Sequence, residues 1–313
     1  MTSRVCVHIP SYNHRAFLAE AIESVLAQTF RDFHIIIVDD ASTDGSQDTI
    51  ADYVRRHPGR IEAIINEKNL GIPRRLGIAL NHCRSEFFCY LDGDDLWERD
   101  ALEALVAAMD EQPDAGLAYG DVRWFDEKSG ETIALTSKLS PPATGYVFEE
   151  LLGRQNFMMP QALLFRRKTL EASNVSLDAP PFEVGGDVYL LFSVCFMSPV
   201  AYVPRVLGHY RIHGGNKSLE TSWGTERLRA LGHMIARRPE TSVKVLECLE
   251  QAWARRPPPK IQKRISALAA ERDRYKASLD VVMNKPIVRC YRKLKRLLRL
   301  APSHPKREKS DGR

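Results

Sequence analysis

FFCYLDGDDLW, residues 87–97, runs from apolar residues straight into three carboxylates. The apolar part reads as a buried strand over 87–92, with Asp92, Asp94 and Asp95 at its carboxyl end. Carboxylates crowded there repel one another, so the stretch calls for a positive partner. The segments on either side decide the fold. VCVHI (5–9), HIIIVDD (34–40) and RIEAII (60–65) read as strands. RAFLAEAIESVLAQ (15–28), SQDTIADYVRRH (46–57), RRLGIALNHC (74–83) and ERDALEALVAAMDE (98–111) read as amphipathic helices between and after them. Short apolar strands alternating with helices predict an α/β, Rossmann-like, mostly parallel sheet with helices on both faces. Ligands of such sheets collect beyond the carboxyl ends of the strands. Three of those ends are polar: PSYN (10–13), DDAS (39–42) and DGDD (92–95).

The middle of the chain is less regular. Strands are expected in 115–126, 129–145 (with an exposed loop) and 161–167, a short helix over 147–155, and a loop over 171–187. DVYLLFSVCFM (187–197) reads as a buried helix and VAYVPRVLGHYRIH (200–213) as two short strands. Beyond about 219 the composition turns helical and charged, with ARRPPPK (254–260) as a linker and helices over 261–283 and 288–300.

Of 313 residues, 44% are hydrophobic and 27% charged, as in folded globular domains. The six cysteines, at 6, 83, 89, 195, 248 and 290, form no CxxC pair and sit in apolar surroundings. They read as reduced core residues of a cytoplasmic protein. No signal peptide is visible and no run of 18 apolar residues occurs, so neither a leader nor a transmembrane helix is expected. The net charge of +5 conceals an asymmetry: residues 255–313 carry 19 Lys or Arg against 5 Asp or Glu, while residues 1–254 carry 26 against 35. An acidic body and a basic tail face different partners.

The chemistry gathers on the acidic rim. DDASTDGS (39–46) alone would be an acidic turn and helix cap. With DGDD on the same rim, the two loops repel unless a divalent cation and polar ligand groups lie between them. A D-x-D spacing suits two oxygen ligands reaching one Mn²⁺ or Mg²⁺ from a tight turn that Gly93 permits, with water and substrate phosphate completing the shell.

PSYNHRAFLAEAIESVLAQTFRDFHIIIVDDASTDGSQD closely resembles the opening of family 2 glycosyltransferases, the inverting nucleotide-sugar enzymes of the GT-A fold. The resemblance continues through NLGIPRRLGIALN and YLDGDD and returns at GGDVYLLFSV and YRIHGGNKS, covering about residues 3–218. It implies a GT-A catalytic domain over 1–218, with a nucleotide-sugar half (1–112) and an acceptor half (113–218), followed by a helical, basic C-terminal extension (219–313). Pro10, Tyr12 and Asn13 would line the nucleotide pocket. Asp39 would accept a hydrogen bond from the base, and Asp40 would support the same loop. Arg74 or Arg75 would lie near the donor, the shortened NLGIPRRLGI leaving the choice open. Asp92 would sit near the ribose. Asp94, helped by Asp95, would bind the cation that neutralises the departing nucleoside diphosphate.

The resemblance also implies a general base, the acid of an E-D pair before a helix. Here FEVGGDVYLLF puts Gly186 where the glutamate would be and keeps Asp187, the expected base, with Glu183 in reserve. The bland alternative for Asp187 is a helix N-cap. His213, in a Gly-rich loop, would donate to the diphosphate or complete the metal shell; His209 ranks below it. Trp97, Trp124 and Trp223 are candidates for stacking on acceptor sugars, with a core role for Trp124 equally open.

In IVRCYRKLKRLLRL (287–300), Ile287, Tyr291, Leu294 and Leu298 recur at helical spacing among six cations. That pattern suits an anionic membrane surface, at the cytoplasmic face of the inner membrane, or packing within a homodimer. Nucleic acid is not expected as a partner, because the body is acidic and carries no binding motif. The lead function is metal-dependent transfer from a nucleoside diphosphate-sugar, read as UDP, to a glycan or lipid-linked glycan such as a bacterial surface polymer. The alternatives are a non-catalytic nucleotide-sugar-binding scaffold and a sugar-1-phosphate nucleotidylyltransferase. The second lacks the Gly-rich basic loop it needs after the first strand. A processive synthase would add a QxxRW-type motif and membrane helices, and neither follows residue 187.

Overall fold

The computed structural model describes residues 3–153, 157–221 and 223–255. The chain divides into two compact units between Met234 and Ile235. The first opens with β1 (Val5–Ser11), α1 (Leu18–Leu26), β2 (Phe33–Asp39), α2 (Ser46–Arg56), β3 (Ile61–Ile65), α3 (Ile72–His82) and β4 (Phe87–Tyr90). It continues through β5 (Leu96–Trp97), α4 (Ala101–Glu111), β6 (Leu117–Asp126), β7 (Thr132–Leu135), α5 (Thr136–Leu139) and α6 (Phe148–Gly153). Then come β8 (Leu163–Arg166), α7 (Arg167–Ala172), α8 (Gly186–Cys195), β9 (Val200–Ile212) and α9 (Lys217–Glu220). The boundary expected at 218 falls inside this unit; α10 (Trp223–Arg237) spans the division and α11 (Ser242–Arg255) follows it. On α11, Val245, Cys248, Leu249 and Ala252 form one buried stripe.

The strands form one mixed sheet in the order β3-β2-β1-β4-β8-β6-β9-β5, with β7 paired to β6. The parallel expectation holds for β1 to β4, the part built from regular βα units. Beyond them it holds only between β6 and β9, which run parallel, while β8 runs antiparallel to both β4 and β6, and β5 antiparallel to β9. Val5, Val7 and Ile9 of β1 pack in one core with Leu18, Ile22 and Val25 of α1. The opposite face carries Cys6 and His8 and is covered by α3, which packs on β1 and β2 and against α8. Every residue of α8 except Asp187 is buried, which fits its unbroken apolar run.

Three local expectations change. The two strands expected in 200–213 are one, β9, ending at Ile212, with its register against β6 shifted beside Pro204, which has no N–H to give the ladder. Part of the expected exposed loop is α5, held by Asp121, whose carboxylate accepts from the Ser137 N–H at 2.9 Å and Oγ at 2.5 Å. The third is β5, too short to announce itself. It stands beside β9, four places from β4 in the sheet order, although it follows β4 directly in the chain. Four flat strand spacings would be about 19 Å. DGDD cannot reach that far, because its turn is closed by the Asp95 N–H on the Asp92 carbonyl at 3.0 Å. The sheet therefore curls, bringing the end of β9 to the DGDD turn.

Cys6, Cys83, Cys89 and Cys195 are free and buried, and Cys248 is buried. No helix among the described residues is long and apolar enough to cross a membrane. Residues 256–260 of the expected linker, the helices expected at 261–283 and 288–300, and Cys290 lie outside the described residues.

Candidate active site

The ends of β1 and β2 are laced together by side chains. Asp39 is fully buried and accepts from Ser11 Oγ at 2.9 Å, the Ser42 N–H at 2.9 Å, Ser42 Oγ at 2.5 Å and Gln47 Nε2 at 3.0 Å. A carboxylate offers about four acceptor positions. The expected bond from Asp39 to a base therefore competes with donors already in place, and Asp39 acts first as the organiser of its loop. Asp40 accepts from Asn66 Nδ2 and from the Leu70 and Gly71 N–H groups at 2.8–2.9 Å, joining β2 to the start of α3. Gly71 has φ of 88°, a conformation that favours glycine. Asn13, at φ 57°, donates its N–H to Ser42 Oγ and accepts from the Thr43 N–H, both at 2.9 Å. Pro10 is buried, while the Tyr12 ring is open to solvent.

The positive partner of the acidic rim is Arg75. The rotation of α3 leaves Arg74 exposed and buries Arg75, which donates to the Ser11 carbonyl at 3.0 Å. Its Nε is buried without a partner. Burial lowers its pKa, against the pull of Asp40, Asp92, Asp39 and Asp94.

In the DGDD turn the three carboxylates go separate ways. Gly93 is obligatory by close approach: a Cβ there would lie 2.7 Å from His14 Nδ1 and 2.9 Å from the Pro10 carbonyl. Asp92 is pushed up to about 7 by burial and then by the charge of Asp94. Asp94 sits below the usual carboxylate range although burial opposes it, because His213 bonds it and His14 lies near. Asp95 does not join Asp94. It is buried, accepts from Gln161 Nε2 at 2.5 Å and the Arg211 N–H at 2.8 Å, and burial raises its pKa well above the usual range.

His213 Nε2 lies 3.0 Å from Asp94 Oδ2, 119 residues away in sequence. The Gly215 N–H approaches His213 Nδ1 at 3.1 Å, which leaves the ring proton on Nε2 to donate to Asp94. His209 is engaged elsewhere, with Glu98 and Arg123, each at 2.9 Å. Trp97 donates to the Gln161 carbonyl from the core, Trp124 to Thr136 Oγ1 and Trp223 to the Ser218 carbonyl.

Two residues of this rim were not singled out from sequence. His14 Nδ1 is buried and unpartnered beside Asp94 and His213. Arg211 donates from Nε to the Asp94 carbonyl at 2.8 Å and from Nη2 to Glu20 at 2.7 Å, with its guanidinium 4.7 Å from the Phe17 ring centre. Its signal was present in YRIH: Arg211 and His213 are two apart on a strand and share a face.

Asp187 lies in the first turn of α8, with Oδ1 buried and unpartnered and its pKa pushed up to about 6 by burial. No side chain caps α8. Glu183 is exposed. A Cβ at Gly186 would meet Leu76 and Pro73 of α3 at 3.3–3.4 Å, so a larger residue there would press on α3.

Among the described residues no three His, Cys, Asp or Glu side chains are grouped as a ready-made metal site. Mn²⁺ and Mg²⁺ need no such cage, because substrate phosphate and water supply most of their ligands. Asp94 Oδ2 and His213 Nε2, already adjacent, would be a fitting oxygen and imidazole pair for such a cation once the ring proton leaves Nε2. Burial is the first cause of the raised Asp92 pKa, and the negative charge of Asp94 beside it adds to the shift.

The matched relatives have the same character. Residues 6–173 match the family model described as Glycosyl transferase family 2. An uncharacterized glycosyltransferase of Nostoc, alr2836, is 28% identical over 72% of this chain and 70% of its own length. The putative teichuronic acid biosynthesis glycosyltransferase TuaG of Bacillus subtilis is 36% identical over 34% of this chain and 42% of its own. Among solved structures, S. aureus TarS 1–349 in complex with UDP-GlcNAc has a TM-score of 0.58 at 16% identity, over 75% of this chain and 66% of TarS 1–349. Mannosyltransferase PcManGT from Pyrobaculum calidifontis, in complex with GDP-Man and Mn²⁺, has a TM-score of 0.57 at 18% identity, over 96% and 86%. These structural likenesses carry the fold, while the family match spans more than half the chain, from β1 through the DGDD turn to α7. The chain is a glycosyltransferase and belongs to glycosyl transferase family 2.

Proposed function

We propose that the protein is a GT-A enzyme that transfers a sugar, with inversion, from a nucleoside diphosphate-sugar to a hydroxyl of a glycan or lipid-linked glycan. The observation that carries this reading is the meeting of Asp94 and His213 at 3.0 Å on a rim that also holds Arg75. Pro10, Tyr12 and Asn13 line the nucleotide pocket, with Asp39 and Asp40 shaping its loops. Arg75, rather than the exposed Arg74, faces the diphosphate. Asp92 takes the ribose, and Gly93 lets the backbone come close. Asp94 and His213 hold Mn²⁺ or Mg²⁺, which when bound would neutralise charge on the departing diphosphate.

Asp187 is the base. Its unpartnered Oδ1 accepts the proton of the acceptor hydroxyl as that oxygen attacks the anomeric carbon. A pKa near 6 leaves it ionised at neutral pH and still basic enough for the task. The UDP-GlcNAc of TarS supports a uridine donor, the GDP-Man of PcManGT keeps guanosine in the panel, and the TuaG match supports a bacterial surface glycan. Docking of residues 287–300 on the inner membrane's cytoplasmic face, and a homodimer, remain part of the proposal on sequence grounds.

The test is calorimetric titration with UDP, dTDP and GDP, each with and without Mn²⁺, on wild type and Asp94→Ala. Tight binding of one nucleotide only with metal, lost in the variant, is expected. Binding that ignores both the metal and the variant would overturn the metal assignment.

A further inference from the structure

The loop that presents Asp187 is anchored from outside the family-matched residues. Glu226, in the first turn of α10, is buried, and its Oε2 accepts the N–H groups of Glu183, Val184 and Gly185 at 2.9, 3.0 and 3.2 Å. Its Oε1 pairs with Arg229 at 2.9 Å. Three successive N–H groups converging on one carboxylate oxygen make a charge-assisted anion nest, here filled by the protein itself. The two segments are in van der Waals reach: a Cβ on Gly185 would stand 3.5 Å from Cβ and the carbonyl oxygen of Glu226. Gly185 is the N-cap of α8, and Asp187 follows two residues later. The next residue of α10, Arg227, donates to the Leu151 carbonyl and lies 5.2 Å from the centre of the Phe192 ring on α8. Its charge acts on Asp187 in opposition to that of Glu226. From the β4 side, Tyr90 and Asp92 also face Asp187.

We infer that α10 belongs to the catalytic apparatus: Glu226 fixes the loop that aims Asp187, and Arg227 sets the charge around it. Both are positioning residues, and the inference rests on Asp187 being the base. It carries the working enzyme past His213 into α10, well beyond residues 6–173, the part by which the family is recognised. It also shows how the backbone just before α8 is held. The backbone there is held by a carboxylate 41 residues downstream instead of by a local side chain.

Two measurements on the full chain test it. Hydrogen exchange of the 183–185 amides should speed up roughly tenfold or more in Glu226→Ala, which removes their acceptor, and stay near wild type in Glu226→Gln, whose amide oxygen can replace it. The second is the pH profile of nucleotide release from UDP-GlcNAc, or from GDP-mannose if guanosine is the nucleotide bound. Glu226→Gln removes a negative neighbour of Asp187, so the acidic limb should move to lower pH. Arg227→Met removes a positive one and should move the limb higher, each by roughly half to one unit, with Arg227→Lys restoring it. A merely structural role would lower the rate and leave the limb in place, and that outcome, or unchanged amide exchange in Glu226→Ala, overturns the inference. Asp187→Asn is the separate control. If it retains turnover, the base assignment fails whatever α10 does; if it is inactive while both α10 variants match wild type, only the role of α10 fails.

Discussion

Replacing Asp187 by Asn should make the protein more stable and less active, with the stability gain confined to one side of a pH window. Burial raises the Asp187 pKa from an ordinary 3.8 to about 6. Its proton is therefore bound more tightly in the folded state than in the unfolded one. The stability this proton contributes is complete below the unfolded pKa, fades as pH rises through the window, and is lost above the folded value. A shift of roughly two units corresponds to at most about 3 kcal/mol, which asparagine, having no charge to bury, does not forfeit. For a unit of this size that is about 6–12 °C in Tm as an upper bound. Scanning calorimetry in EDTA should give near-equal Tm values for wild type and variant at pH 4 and a higher one for the variant at pH 8. Turnover should fall about 10²–10⁴-fold, with nucleotide and Mn²⁺ binding nearly unchanged. An equal Tm difference at both pH values would refute the burial argument. Unchanged turnover would refute the assignment as base.

Gly93→Ala puts a methyl group against His14 and the Pro10 carbonyl, so it should destabilise by about 1–3 kcal/mol, read as a lower Tm, and weaken nucleotide binding. Arg75→Met should abolish measurable nucleotide binding in calorimetry while Arg74→Met changes it less than about threefold, because only Arg75 faces the carboxylates. Arg211→Gln removes the bonds from its side chain to the Asp94 carbonyl and Glu20. Apparent Mn²⁺ affinity in a nucleotide titration should fall about 10–100-fold, with much less change in binding of the nucleotide alone.

The parts legible in the sequence are those whose causes are local. β1 to β4 and their helices follow from the period of the apolar residues, and the rim acids stand out because they interrupt that period at strand ends. What was hidden depends on distant partners. β5 exists only because β9 lies opposite Leu96 and Trp97. Asp95 parts from Asp94 by meeting Gln161 and the Arg211 N–H, 66 and 116 residues away, while Asp94 meets His213, so no reading of D-x-D-D could separate them. Arg74 and Arg75 differ by one step of helix rotation, and Pro204 reads as a break until β6 is there to keep both halves in one strand. Glu226 gave no signal at all: its meaning lies wholly in the three amides it meets.

The charge balance of the rim argues for an order of events. Asp92 and Asp94 act on Arg75, with Asp187 acting on Asp92, so three carboxylates stand against one guanidinium and the balance is negative. Burial raises the pKa of Asp92 and Asp187, and the charge of Asp94 adds to this at Asp92. Arg211 does not redress it, being occupied by Glu20 and the Asp94 carbonyl. A nucleoside diphosphate brings further negative charge to this rim, so alone it binds against repulsion. A divalent cation reverses the sign at Asp94 and His213. Cation and nucleotide should therefore bind with strong positive coupling, each raising the affinity of the other by the same factor. Calorimetry can check that equality directly, by titrating Mn²⁺ at zero and saturating nucleotide and nucleotide at zero and saturating Mn²⁺. A coupling factor near one would mean that Arg75 alone balances the diphosphate and that the acids serve the fold.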